Sequence, residues 1–157
     1  MAADDIRING FTHSWASTKT TLDGEQYVGI SKISWDHAIE EGLVRGQGGK
    51  PLGRTRGQYM PGAVTLTMRK SSAMVLKDNL AKKSSDGKTY GETEFPIVVQ
   101  YLEPDDTPIT VELNRCRFLK STAANEQSAD PTAEDIELSC LEVVENGKKL
   151  FSDIVVG

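Results

Sequence analysis

The chain has 157 residues, 38% of them hydrophobic and 26% charged, and a formal net charge of −5. This length suits one domain, residues 1–157, with a core of its own. No apolar run approaches the roughly 18 residues that cross a bilayer, the acidic opening "MAADDIRING" lacks the features of a secretion signal, so a cytoplasmic origin is expected, and the acidic excess excludes general nucleic-acid binding, whose affinity comes from neutralising phosphates with Lys and Arg.

The dominant period is two, the signature of half-buried strands. Thr18–Leu22 and Tyr27–Ile30 read as short strands around Asp23-Gly24, a strong hairpin signal. Ile33, Trp35, His37 and Ile39 then alternate with Lys32, Ser34, Asp36 and Ala38, which predicts one long strand. Residues 40–62, "EEGLVRGQGGKPLGRTRGQYMPG", put seven glycines and four cations into a run with little to build a core. Ordering such a run costs on the order of 1–2 kcal/mol per residue, and a loop this long inside a compact domain is functional or disordered. Residues 42–62 are therefore expected to be an extended loop that orders only against another chain, with Arg45, Lys50, Arg54 and Arg56 meeting acidic surface.

Val64, Leu66 and Met68 alternate with Thr65, Thr67 and Arg69 in a returning strand. A helix over 71–83 follows, with Ser71 or Ser72 as N-cap, Ala73, Leu76 and Leu80 on one face, and Lys82 and Lys83 in the last turn. Strands are predicted at Phe95–Leu102 and from Ile109, where the phase slips between Leu113 and Cys116 and predicts a bulge. Residues 121–135 are polar and small and read as an exposed loop. A strand at Ile136–Val144 and a turn at Asn146-Gly147 lead to a last segment at Leu150-Phe151. The fold class is mainly β: an antiparallel sandwich or barrel with one flanking helix.

No catalytic constellation is present. Gly49-Lys50 has Val44 where a phosphate-binding loop needs its first glycine and Pro51 where it needs a hydroxyl, and the dinucleotide fingerprint fails likewise at Pro51. His37 lies at an apolar phase and reads as a hydrogen-bonded core histidine. Cys116 and Cys140 have neither metal-ligand nor redox spacing and read as buried free thiols, with a cross-strand disulfide as the alternative. No cofactor and no metal are expected, and the chain is not expected to be an enzyme.

The order of elements, carried by "DGEQYVGISKISWDHAIEEG", "GRTRGQYMPGAVTLTM", "SSAMVLKDNL" and "FPIVVQYLEPDDTPITVELNRCRF", resembles the tail tube proteins of long-tailed bacteriophages from Leu22 through Val144. That family shares its ancestry with the tube proteins of contractile injection systems. The resemblance implies six copies in a ring, inner sheets joined into one barrel, and rings stacked into a hollow tube that conducts DNA into the host. It implies a place in the virion tail after synthesis in the bacterial cytoplasm. The partners it implies are the chain itself, sheath, tape-measure, and tail-terminator or baseplate proteins. Residues 42–62 are then the loop that reaches adjoining subunits, and Asp36, Glu40, Glu112 and Glu137, at polar phases of the long strands, are the candidate lumen-facing carboxylates. Two competing readings are the inner tube of a cellular system such as type VI secretion, and a β-sandwich ligand-binding module. The latter requires exposed aromatics in a groove, whereas Trp15 and Trp35 are the only tryptophans and Trp35 sits at an apolar phase.

Overall fold

A computed structural model describes residues 13–151 apart from Val28, Asp105 and residues 124, 126, 128, 130 and 131. A 3-10 turn at Trp15–Ser17 leads into β1 (Thr18–Leu22) and β2 (Glu25–Gln26). Asp23 and Gly24 between them have φ of 52° and 83°, the two left-handed conformations that a type I′ hairpin turn requires. The chain continues through β3 (Ile30–Ser34), β4 (His37–Glu40), β5 (Leu43–Arg45), β6 (Pro51–Arg54), β7 (Gln58–Pro61) and β8 (Ala63–Arg69) to α1 (Lys70–Ala81). After the helix come β9 (Phe95–Tyr101), β10 (Ile109–Ala123), β11 (Ala133–Ser139), β12 (Glu142–Glu145) and β13 (Lys148–Lys149).

The 15-residue strand β10 organises the molecule. Its first half pairs with β9 and β12, and its second half pairs with β11, all antiparallel. It thereby belongs to a first sheet ordered β2-β1-β9-β10-β12-β13 and a second ordered β10-β11-β8-β3. The change of sheet falls at the predicted phase slip. The β9 register shifts between Leu113 and Cys116, and Arg115 there takes a φ of 58°. Bulges of this kind bend a strand and let it turn a corner between sheets. The network does not close into a barrel among the described residues, since the path ends at β2 and β3.

Inward residues of both sheets meet in one core. Leu22, Ile97, Val99 and Leu113 from the first sheet join Val64, Leu66, Met68, Ile136 and Leu138 from the second, together with Ala73, Leu76 and Leu80 of α1. Cys116 and Cys140 are buried as free thiols. The helix also buries an ammonium, which its apolar spacing did not reveal. Lys77 Nζ donates to Glu134 Oε1 on β11 at 2.9 Å and to Ser121 Oγ at 3.2 Å, and Lys70 Nζ reaches the same oxygen at 2.9 Å. Glu134 Oε2 lies 2.9 Å from Lys77 Nζ, outside hydrogen-bond geometry, so it meets only the charge.

Several boundaries differ from those expected. The strand over 32–39 is two strands, interrupted at Trp35-Asp36, because the Asp36 carbonyl accepts from Gly62 N–H at 2.9 Å and the chain leaves the sheet there. The strand over 136–144 is likewise broken at Cys140-Leu141. The helix begins at Lys70 with no side-chain cap from Ser71 or Ser72. Its entry is satisfied by neighbouring backbone instead, through Arg69 N–H to Gly29 O at 2.9 Å and Lys70 N–H to Thr132 O at 3.0 Å. Lys82 is the C-cap and Lys83 lies beyond it. Both ends of the polar stretch 121–135 are strand, because Ser121, Thr122 and Ala123 pair with Ile136, Asp135 and Glu134. The last strand falls on Lys148–Lys149 and not on Leu150-Phe151.

Candidate functional site

Two surfaces set this domain apart from a self-contained sandwich. The first is an arm. Beyond Ser34 on one side and Ala63 on the other, where β8 still pairs with Ser139, the chain leaves the sheet and runs on as a two-stranded ribbon, β4 against β7 and then β5 against β6. Gly42 and Thr55 join the segments: Thr55 N–H donates to Gly42 O at 2.8 Å, and Gly42 N–H donates to Thr55 Oγ1 at 2.9 Å. The residues expected to form an extended loop without secondary structure therefore hold strands at Leu43–Arg45, Pro51–Arg54 and Gln58–Pro61.

A two-stranded ribbon has no core, and its apolar side chains show it. Leu52 is 73% exposed, Leu43 50%, Val44 49%, and Ile39 and Met60 are also exposed. Arg45, Lys50 and Arg54 are exposed on the same segment, with Arg54 4.0 Å from Glu41. The fourth expected cation is placed differently. Arg56, also exposed, lies between β6 and β7 with its guanidinium 5.3 Å above the Phe151 ring of its own chain.

The second surface is the outer face of the second sheet. Register aligns Ser34, Thr65, Glu137 and Lys120 in one row and Lys32, Thr67, Asp135 and Thr122 in the next. Thr67 Oγ1 donates to Asp135 Oδ1 at 2.8 Å. The face is polar, built on Ser and Thr, and mixed in charge. Its two lateral edges, β3 and the second half of β10, have no strand on their outer side among the described residues.

The four candidate carboxylates do not share a surface. Glu137 lies on this polar face, whereas Glu112, opposite Val98 and Val144, lies on the outer face of the first sheet. Asp36 stands at the arm's root and Glu40 on β4. Sequence alternation identified each as outward, but two sheets have two outward faces, and β10 serves both. His37 is half-buried, with Nδ1 3.0 Å from the Tyr59 hydroxyl. Among the described residues no cluster of three or more His, Cys, Asp or Glu is placed to hold a metal ion.

The fold defines a structural class: it is that of Hcp-like tube proteins of contractile injection systems. A chain in the cryo-EM structure of the sheath/tube terminator of PVC, an extracellular contractile injection system, superposes with a TM-score of 0.66 at 13% identity, over 88% of this chain and 99% of that one. A chain of the anti-feeding prophage tube-terminating cap gives 0.66 at 17% identity, over 93% and 97%. Hcp1 from Flavobacterium johnsoniae gives 0.53 at 14% identity, over 86% and 98%. No family model and no curated protein matches the sequence.

Proposed function

We propose that this chain is a non-catalytic structural subunit that assembles with itself, as hexameric rings stacked into a hollow tube. The observation that carries the reading is the arm: five large apolar side chains stand exposed on a ribbon that has nothing of its own to bury them against. Exposed apolar patches of this kind mark interaction surfaces. The second sheet supports the same reading, since a polar sheet unpaired at both edges can close only against further strands, and copies of itself supply them. Ring closure would turn the Ser/Thr-rich face into a continuous wall. The similar solved structures include a sheath-tube complex and a baseplate, which supports sheath and baseplate or terminator proteins as partners.

The wall's charge bears on cargo. Lys32, Arg69, Arg117 and Lys120 accompany Asp135 and Glu137 at outward positions of the second sheet, so the face is mildly basic rather than acidic. An excess of two cations per copy gives passing DNA some counterion-release affinity, so conduction through a phage tail rests on the resemblance in the order of elements and not on the wall's charge. A protein-conducting injection tube is the second reading, favoured by the injection-system neighbours.

Electron microscopy of a concentration series, with sedimentation beside it, tests assembly. Replacing residues 43–54 by Asn-Gly joins the hydrogen-bonded Gly42 and Thr55 by a short turn and removes the arm's outer half. Rings or tubes from the wild type and a folded monomer from the variant are expected. A variant that assembles like the wild type would overturn the arm's role, and a wild type that stays monomeric at every concentration would overturn the tube reading.

A further inference from the structure

The arm meets the body of the domain at Tyr59. On β12, Val143 is 1% exposed, and its amide donates to the Tyr59 hydroxyl at 3.0 Å. The reason lies in the adjacent hairpin. β13 pairs only with Val144 and Glu145, so the next partner in register, Leu150, falls after the strand has ended, and the Val143 N–H would otherwise be a bare donor on a buried edge. Tyr59 completes the edge with a side chain from a segment 84 residues away.

The hydroxyl has a second partner. It lies 3.0 Å from His37 Nδ1, as donor or acceptor according to the imidazole tautomer, and the other ring nitrogen, Nε2, lies 3.7 Å from Glu145 Oε1. His37 stands edge-on to the Tyr59 ring at 5.8 Å, and the Phe151 ring lies 6.4 Å from Tyr59 on its way to Arg56. Both strands of the arm's root, β4 through His37 and β7 through Tyr59, are thus tied by one hydroxyl to the β12–β13 hairpin.

We infer that Tyr59 is a positioning residue for assembly: by completing the edge of β12 it fixes the direction in which the arm leaves the body before a second copy of the chain arrives. A ribbon free to swing about its root would lose that freedom on docking, and restraining it beforehand removes the loss from the binding step. The inference rests on the reading that the arm engages another copy, but the latch itself is measurable in the monomer.

The test is Tyr59→Phe, which keeps the ring and removes the hydroxyl, followed by hydrogen exchange in the monomer and by the concentration at which assembly begins. Exchange at Val143 and at Gly62, whose amide closes the root, is expected to speed up about tenfold, the order for one buried donor left bare. The assembly threshold is expected to rise about fivefold from the lost preorganisation. Unchanged exchange at Val143 would overturn the latch, and faster exchange with an unchanged threshold would overturn its role in assembly. Phe151→Leu, which loosens the ring contact and keeps both hydrogen bonds, should leave Val143 near the wild-type rate. An acceleration equal to that of Tyr59→Phe would deny the hydroxyl its part, and if Tyr59→Phe fails to fold, His37→Leu, which spares the Val143 bond, takes its place with Gly62 exchange as the readout: acceleration there supports the latch and an unchanged rate overturns it. If the wild type forms no assembly, the tube reading fails while exchange at Val143 still decides the latch.

Discussion

Lys77 and Glu134 bring the largest single-residue consequence. Burial pushes the Glu134 carboxyl up, but hydrogen bonds from Lys70, Lys77 and Ser121 outweigh it and hold the group below its usual range. A carboxylate depressed on folding contributes stability above its unfolded pKa of roughly 4.3, and that contribution disappears as pH falls through the lower folded value. The stability difference between wild type and Glu134→Gln, read from urea midpoints, is therefore expected to be largest near neutrality and to shrink below about pH 4. Lys77→Met leaves Glu134, only 2% exposed, with Lys70 as its one remaining ion-pair partner, and is expected to cost about 3 kcal/mol, the lower end for breaking a buried pair. The cysteines offer a simpler check. Burial, and then proximity to Cys140, pushes the Cys116 thiol up to about 12, so neither thiol should react with an alkylating reagent in the folded protein near neutral pH, and both should react on unfolding.

At the scale of elements, the arm's glycines are not equivalent. Gly57 has a φ of 82°, and a Cβ there would overlap the Glu40 carbonyl oxygen across the ribbon. Gly48 near the tip also has positive φ, 110°, but faces open space. Gly57→Ala is thus expected to disrupt the β4–β7 pair at a cost of about 1–3 kcal/mol, while Gly48→Ala pays only for its backbone conformation. Amide exchange in residues 37–61 measures both, and equal effects would contradict the assignment of the ribbon's root. The helix shows a related division. Ala73, Leu76 and Leu80 set its buried face by spacing alone, but Lys77 lies on that face too, and only the position of Glu134 on β11 makes it tolerable.

For the whole molecule, the question is what the assembled wall presents. Asp135→Lys with Glu137→Lys takes the outward face of the second sheet from mildly to strongly basic, and such tubes are expected to gain DNA binding that weakens steeply between low and physiological salt. Glu112→Lys, on the outer face of the other sheet, is expected to leave DNA binding unchanged. Filter binding at two salt concentrations reads both, and equal gains would mean that the second sheet does not form the wall.

By itself the sequence determined the alternating strands of the two sheets, the two hairpin turns, the bulge after Leu113, the helix and its apolar stripe, and the absence of any recognisable catalytic motif. These are local matters, decided by alternation, by turn chemistry and by residues within a few positions of each other. Tertiary structure alone decided that β10 belongs to two sheets, which separates Glu112 from Glu137 although both sit at outward phases. It decided that the glycine-rich run is a ribbon, because the pairing of Leu43 with Arg54 is set by the β3–β8 register behind it and not by its own composition. It also decided the roles of Tyr59 and Lys77, whose partners Val143 and Glu134 lie 84 and 57 residues away. Periodicity tells which way a side chain turns from its own strand, and only the packing of distant strands settles what it meets there.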